Sequence, residues 1–541
     1  MTKLQTDIKL ITAKKSIDSP VMAFIDMGTN SFHLIVFKAK YNNFEVLATV
    51  KEFTPFFRRC LNEHYINSQS LKATINILTK LCFEARSLGA SSIVAVATSA
   101  VRESKNGEQV LEVIRQSLKI DAKMISGKEE ARLIYLGVLW NIGNLADKST
   151  IVDIGGGSVE LILGDAEKIY FAESYKLGCA RLTQRYFSDS AIKQAKIFEL
   201  HQHVKGVIEP ACNRILKLGF DPEKCSLIGS SGTIEAIAKL NYLTKKINYQ
   251  TLNQTCHSLS DWESVLGFIE EWSIKNKKIK GISAERNKTI LAGAIVAIET
   301  MRCLGVKNII ISNSALREGL TVDSLIRNDL TDSKFDHFKD FRQTSVINLA
   351  SRYCADLSHS NQVAYLAVEI FRQTQNKLHN LDESMAHLLW SAAILHDIGV
   401  FISRNGHHKH SFHLIKYSGL LGHSEEEINL IANIARYHRG SYPKESHQFY
   451  NSLMPDSQNV VLTLSAILRM AEAMDRSHKQ LIDNIKVLPT VSKMSTTLKQ
   501  NYCIYIKLKP KAVIDSEIWA FREKREYFEN ILRTKIELIV E

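Results

Sequence analysis

The sequence predicts an α/β protein of several domains: two similar α/β domains, an all-helical domain, and a small α/β tail. Three observations carry that reading. One pattern occurs twice, an apolar run, an Asp, a turn of glycine and small polar residues, and a second apolar run, at Asp26 and again at Asp153. Such self-similarity marks an internal repeat. Strand signals stop near residue 325, and histidine-rich helical periodicity runs from Thr344 to Met474. Beyond it, Cys503–Leu508 and Lys535–Val540 alternate as strands around an amphipathic helix, Glu517–Leu532. A chain of 541 residues also exceeds what one hydrophobic core supports.

Residues 1–19 read as a loose leader without the apolar stretch of a signal peptide. The first α/β domain is expected over 20–145. It opens with a strand at Val21–Ile25, the turn D-M-G-T-N-S at Asp26–Ser31, and a strand at Phe32–Phe37. A strand at Leu47–Phe53 and a helix at Ser68–Leu88, ended by Gly89, follow. Ser92–Thr98 is a buried strand, Val110–Leu118 a helix, and a further helix starts after Gly127.

The second domain is expected over 146–323. Thr150–Asp153, G-G-G-S and Val159–Leu163 repeat the strand, turn and strand. A helix at Lys196–Leu218 and a strand at Cys225–Ile228 lead to Gly229-Ser230-Ser231-Gly232-Thr233 and the helix Ile234–Leu240. Helices at Trp262–Trp272 and Ile290–Leu304 and a strand at Val306–Ser312 complete it. The helical domain is expected over 324–490 and the tail over 491–541.

A hydrophobic share of 45% and a charged share of 23% are those of a globular chain, which excludes extensive disorder. The net charge of +12 favours polyanionic partners, or reflects a host preference for lysine. Nine scattered cysteines without a C-x-x-C pair exclude a zinc knuckle or a disulfide framework and fit a reducing compartment. No apolar run is long enough to cross a membrane, so a cytoplasmic protein is expected. No basic stripe interleaved with aromatics is present, which argues against nucleic acid.

The stretch D-I-G-G-G-S-V-E-L-I-L, Asp153–Leu163, has two readings by itself. G-G between strands is an ordinary hairpin turn. Successive glycine N–H groups also form an anion cradle. The repeat at Asp26–Ser31 favours the cradle. Both aspartates would then flank one cleft, and because carboxylates repel phosphate they need a cation between, for which Mg²⁺ is suited. Glu129 and Glu130 open a helix, where one reads as a helix-terminal charge and the other as a base for water. Arg102 follows a strand end, where guanidinium suits phosphate, or is a surface arginine. Gly229–Thr233, between strand and helix, is a further anion cradle.

The set I-D-M-G-T-N-S-F-H-L, T-S-A-V-R, S-G-K-E-E-A-R-L, D-I-G-G-G-S-V-E-L, L-G-C-A-R-L-T, G-S-S-G-T and A-L-R-E-G resembles, in order and spacing, the exopolyphosphatase / guanosine pentaphosphate phosphohydrolase (Ppx/GppA) family over roughly residues 21–320. The resemblance implies two ribonuclease-H-like domains of the actin-like ATPase superfamily around a phosphate-binding cleft. It implies that Asp26 with Gly28, Thr29, Asn30 and Ser31, and Gly155, Gly156, Gly157 and Ser158, form the phosphate loops. Asp153 corresponds to the holder of a divalent cation, Mg²⁺ or Mn²⁺. Glu160 belongs to the same pattern and is a candidate to hold the same cation, though its spacing alone assigns it no role. Glu130 corresponds to the catalytic carboxylate and Arg102 to a phosphate clamp. Gly229, Ser230, Ser231, Gly232 and Thr233 match the superfamily's nucleotide loop. The implied substrates are inorganic polyphosphate and guanosine pentaphosphate, and a homodimer is expected.

Two departures stand out. Where the family shows an Arg-Leu-Gly segment, this chain reads F-T-P-F-F-R-R-C-L, Phe53–Leu61, leaving Arg58 or Arg59 to take over a phosphate contact. Where the family has Arg-x-Asp, the chain has E-R-N-K, with Lys288 in place of the acid. Both raise positive charge near the expected site, which opens weaker catalysis, altered chain-length preference or a regulatory role.

In the helical part, His396-Asp397 are adjacent, so the two side chains diverge by about 100° and cannot both face an ordinary core. With His359 and Asp475 from flanking helices they suit a metal, Mn²⁺, Fe²⁺, Zn²⁺ or Mg²⁺. His410 and His438 are candidates to extend the site to a second metal or to phosphate. The H…HD…D order resembles the HD metal-dependent phosphohydrolase superfamily, in the form that long members of the same family carry. A degenerate HD fold without metal is the alternative. The expected function is exopolyphosphatase or pentaphosphate phosphohydrolase. Its rivals are a non-catalytic polyphosphate- or nucleotide-binding regulator and an ATPase or kinase of the same superfamily.

Overall fold

The computed structural model describes residues 20–54, 60, 63–143, 148–187, 192–328, 330–331, 341–489, 502–508 and 513–540. The chain divides into two compact units, Met1–Lys339 and Asp340–Glu541.

In the first unit, strands β1 (Val21–Met27), β2 (Ser31–Lys40) and β3 (Asn43–Phe53) are followed by α1 (Ser68–Ser87), β4 (Ser92–Ala97), α2 (Ser99–Arg102), α3 (Gly107–Leu118), β5 (Asp121–Met124) and α4 (Gly127–Ile142). Next come β6 (Ser149–Ile154), β7 (Val159–Gly164), β8 (Ile169–Tyr175), α5 (Cys179–Phe187), α6 (Gln194–Lys217), β9 (Leu227–Ser230) and α7 (Gly232–Thr244). They are followed by β10 (Cys256–Ser258), α8 (Leu259–Ile274), α9 (Ala284–Leu304), β11 (Asn308–Ile311) and α10 (Leu316–Arg327).

The two sheets follow one plan. The first has the order β3-β2-β1-β4-β5, with the β1–β3 meander antiparallel and β4 and β5 added in parallel. The second has the order β10-β11-β9-β6-β7-β8, in which the β6–β8 meander is antiparallel and β9 and β11 are parallel. Strands β6 and β7 are buried along their whole length, as expected of central strands covered on both faces. Strands β5, β8 and β10 and helix α5 are structure that the sequence patterns left unassigned. Each of those strands is short or mixes polar and apolar residues.

Helix α4 is capped by Ser126, whose hydroxyl accepts from the Glu129 N–H, and is buried from Glu129 to Leu139. It meets α10 at two glycines. A Cβ on Gly319 would fall 1.8 Å from the Leu133 carbonyl oxygen, and one on Gly137 2.4 Å from that of Ala315. Beside this contact Arg132 is fully buried and donates to Glu129 and Asp323. The helix that presents Glu130 is thereby fixed against α10, the last helix of the unit among the described residues.

The second unit comprises α11 (Phe341–Arg352), α12 (Leu357–Thr374), α13 (Met385–Leu395), α14 (His407–Lys416), α15 (Glu425–Arg436), α16 (Gln448–Asn451), α17 (Pro455–Ala473), β12 (Ile482–Pro489), β13 (Tyr502–Leu508), α18 (Asp515–Leu532) and β14 (Ile536–Val540). The expected boundary at 490 follows a strand of the tail's own sheet, which has the order β12-β13-β14. One apolar core runs from α12 through α17 into Phe521, Phe528 and Ile536 of the tail. Gln362 and Gln373, on α12, bond the backbone of β12.

Candidate functional site

A cavity of about 280 Å³ opens in the first unit where the strand ends of both sheets converge. Asp26, Gly28, Thr29, Asn30, Ser31, Glu130, Asp153, Gly155, Gly156, Gly157, Ser158, Ser231, Gly232 and Thr233 line it. Residues 127 positions apart in the repeat thus share one wall. The approach is tight enough to require glycine. A Cβ on Gly157 would sit 2.1 Å from the Ser99 hydroxyl, and one on Gly156 2.5 Å from the Asn30 amide. The Gly155 N–H already donates to the Ser158 carbonyl, at 3.0 Å. Among the described residues, the N–H groups of Gly156 and Gly157 have no protein acceptor.

Four carboxylates gather behind these loops. Burial pushes Asp26 up to about 8, with Glu130 and Asp153 adding to it and Arg317 opposing. Its Oδ1 is buried without a hydrogen-bond partner. Burial likewise pushes Asp153 up to about 7, against the Ser230 hydroxyl. Glu160 lies opposite Asp153 in the β6–β7 register and accepts from the Ser174 hydroxyl at 2.7 Å. Burial, then Glu130 and Asp153, hold it well above the usual carboxylate range. Glu130 is raised by burial and restrained by Arg102, whose Nη1 is 3.0 Å away. Carboxylates in this state are under-neutralised, and a hard divalent cation with oxygen ligands fits the orphaned Asp26 Oδ1 and its neighbours.

Helix geometry separates the adjacent glutamates. Glu130 faces the cavity, while Glu129 turns to Arg132 with bonds of 2.8 and 2.7 Å. Arg102 is absent from the cavity lining; it donates to Glu130 and to the Ile125 carbonyl, 2.9 Å away. Gly229 and Ser230 lie within β9, where the Ser230 hydroxyl donates to the Ser314 carbonyl at 3.0 Å. Only the second half of that loop reaches the cavity. Its Ser231 holds φ +99° and ψ 154°, a region that strongly favours glycine, and its hydroxyl accepts from the N–H groups of Thr233 and Ile234.

Three cations that sequence reasoning left without a role also line the cavity: Lys51, Arg286 and Arg317. Burial and the two arginines hold Lys51 below its ordinary value. Arg286 donates to the Thr233 hydroxyl at 2.7 Å. Arg317 lies in the quoted motif A-L-R-E-G and Arg286 beside Lys288, so the signals were present. Lys288 itself pairs with Glu285 at 2.7 Å, is well exposed and is absent from the lining. Arg58 and Arg59 lie outside the described residues.

The second unit gathers histidines. His359, His396 and Asp397 form one set of converging ligand atoms, and Asp397, His407 and His438 another, each within 4.8 Å. Every ring is oriented through Nδ1: His359 to Asp475 at 2.8 Å, His396 to the Ala393 carbonyl, His407 to that of Arg404, and His438 to that of Ala435. Their Nε2 atoms are left facing inward, and those of His359 and His396 are buried without a partner. Burial holds His396 and His438 below the ordinary histidine range, so they stay neutral, as metal ligation requires. Asp475 is occupied by His359 and by the Gln480 N–H at 2.7 Å, so it orients the His359 ring. His410 belongs to neither set, and His407, three residues earlier on α14, stands in its place.

Residues 35–328 match the Ppx/GppA phosphatase family, and residues 341–516 match domain III of Ppx/GppA phosphatases. Among solved structures, an exopolyphosphatase from Cytophaga hutchinsonii ATCC 33406 is 24% identical, with a TM-score of 0.52, over 56% of this chain and 97% of its own. A Ppx/GppA family member from Aquifex aeolicus is 22% identical, with a TM-score of 0.49, over 57% of this chain and 99% of its own. No helix among the described residues is long and apolar enough to cross a membrane.

Proposed function

Because the chain belongs to the Ppx/GppA phosphatase family, we propose that the cleft of its first unit hydrolyses the terminal phosphoanhydride of inorganic polyphosphate or of guanosine pentaphosphate. Orthophosphate is one product. The observation that carries this reading is the presence, in one cavity, of under-neutralised carboxylates and of Lys51, Arg286 and Arg317. A kinase or binding module needs the phosphate loops, whereas a buried Glu130 beside them adds a base for water.

Gly156 and Gly157, with the loop Gly28–Ser31, hold oxygens of the terminal phosphoryl group. The three cations hold the rest of the chain, each pairing with a further negative charge. Glu130, oriented by Arg102, takes a proton from the attacking water as its oxygen bonds to phosphorus. The bridging P–O bond breaks in line, and the shortened chain leaves with the bond's electron pair. Asp26, Asp153 and Glu160 would hold Mg²⁺, which would supply charge neutralisation for the phosphoryl oxygens. Positioning and electrostatics carry most of the rate. The repeated strand order supports reading the two lobes as ribonuclease-H-like, over 20–145 and 146–323.

We further read the second unit as an HD-type domain that binds divalent metal. Ligands about 2.0–2.2 Å from one ion lie no more than ~4.4 Å apart, and the five ligand residues fall into two sets sharing Asp397. One ion would be held by His359, His396 and Asp397 and a second by Asp397, His407 and His438.

Phosphate release from long-chain polyphosphate, triphosphate, guanosine pentaphosphate and ATP, measured in parallel, tests the assignment. Glu130→Gln is expected to lose ~10²–10⁴-fold in kcat and to retain polyphosphate binding, and Asp397→Ala to retain the activity. Normal turnover by Glu130→Gln, or loss in Asp397→Ala alone, moves the chemistry out of the cleft.

A further inference from the structure

Glu235 is the carboxylate of the cleft that neither the water attack nor the cation uses. It lies on the first turn of α7. Gly232 and Glu235, one helical turn apart, line the cavity, while Ile234 between them is fully buried. Glu235 is half-buried and has no hydrogen-bond or ion-pair partner for its side chain among the described residues. The cations that share its cavity are directed elsewhere. Arg286 donates to the Thr233 hydroxyl at 2.7 Å and lies over Gly232, where a Cβ would fall 2.8 Å from its Nη2. Arg317 pairs with Glu318 at 3.4 Å, and Glu318 also accepts from the Ala315 N–H at 2.9 Å. Lys51 lies over the Phe53 ring, 5.2 Å from its centroid. These groups act on Glu235 only at longer range: burial raises its carboxyl above the usual value, Arg317, Arg286 and Lys51 oppose the rise, and Glu318 adds to it.

An ionised carboxylate only accepts hydrogen bonds. The internal units of inorganic polyphosphate offer it nothing, since they carry acceptor oxygens and negative charge. Against such a chain Glu235 stays unpaired and repels. A nucleoside joined to the phosphates differs in this respect. Its ribose hydroxyl donates, and guanine presents N1–H and N2–H side by side, a match for the two oxygens of one carboxylate. A site that pairs with a substrate's O–H or N–H rejects the analogue lacking it, because the site's own polar group is then left without a partner. Lys51, Arg286 and Arg317 can hold the phosphates of either substrate and so do not tell them apart. Glu235 does.

We propose, resting on the reading that this cleft cleaves phosphoanhydrides, that Glu235 is a specificity-determining residue which accepts from the nucleoside of a guanosine polyphosphate and so favours that substrate over inorganic polyphosphate. The test measures kcat and KM for phosphate release from guanosine pentaphosphate and from a five-unit inorganic polyphosphate, which lacks the nucleoside. Full-length wild type, Glu235→Ala and Glu235→Gln are compared in Mg²⁺. In Glu235→Ala, kcat/KM on the nucleotide should fall at least about tenfold, chiefly through KM. KM for the inorganic chain should fall by about threefold in the same variant, as a like charge leaves its path. Glu235→Gln keeps one acceptor oxygen and loses the charge, so it should lie between wild type and Glu235→Ala on the nucleotide and match Glu235→Ala on the inorganic chain. Equal losses on both substrates, the outcome of a structural or cation-holding role, overturn the assignment, as does an unchanged ratio between them. Wild type that releases phosphate from neither substrate, or full activity on both in Glu130→Gln, overturns the reading of the cleft beneath it.

Discussion

The metal-free protein should lose stability as pH rises, and Asp26 should be one cause, beside Glu160, Asp153 and Glu130. The proton affinity of Asp26 corresponds to a pKa of about 8 in the fold, against an ordinary 3.8. At ~1.4 kcal/mol per tenfold change in proton affinity, full ionisation of that side chain opposes folding by up to roughly 6 kcal/mol. Between those two pH values the folded chain keeps a proton that the unfolded chain has released, so stability falls as pH increases. From pH 5 to 8 the cost grows by up to roughly 4 kcal/mol. Water entry and local relaxation absorb part of that, leaving about 2 kcal/mol. At ~2–4 °C per kcal/mol this lowers Tm by about 5 °C. The assay is thermal unfolding of full-length wild type and Asp26→Asn at pH 5 to 8, in EDTA and in Mg²⁺. The wild type in EDTA should show the fall, and Asp26→Asn should keep only the share that Asp153, through its rise to about 7, and the raised Glu160 and Glu130 contribute. Mg²⁺ binds the ionised cluster, so it should stabilise the wild type more at pH 8 than at pH 5. Equal slopes in the two proteins, or stronger Mg²⁺ stabilisation at pH 5, would refute the reasoning.

Other perturbations follow from single contacts. Gly319→Ala places a Cβ 1.8 Å from a backbone carbonyl, so α4 and α10 must separate, costing ~1–3 kcal/mol or more; lower Tm together with weaker Mg²⁺ binding would report it. Lys288→Asp, which restores the acid expected at that position, should leave kcat/KM on polyphosphate within about twofold, because Lys288 pairs with Glu285 away from the cavity. Arg286→Ala should raise KM for long-chain polyphosphate about tenfold and flatten its dependence on salt. A KM unchanged in Arg286→Ala would remove that arginine from the chain's path.

The turns were legible because their chemistry is local. Glycine two residues after an Asp at a strand end is written within six residues, and its repetition exposed the shared plan of Asp26–Ser31 and Asp153–Ser158. The basic wall was not legible, because Lys51, Arg286 and Arg317 come from three elements and only tertiary contact gathers them. The same holds for the inward turn of Arg102 to Glu130 and the outward turn of Lys288 to Glu285. In the second unit, the H-H-K-H run marked a ligand source, but helix phase selected His407 over His410. Asp475 counted as a ligand by order along the chain; its hydrogen bonds make it the residue that aims His359.

The sequence by itself determined the two-fold α/β repeat, its paired glycine turns, the change to a helical second half and the His-Asp pair within it. These follow from periodicity and from residue types whose backbone or ligand behaviour is intrinsic. Only the tertiary structure decided which carboxylates share a desolvated space, which cations face them, and which nitrogen of each histidine is left for a metal. Those outcomes depend on distances between segments far apart in the chain, where burial and neighbouring charge, and not residue type alone, set the chemistry.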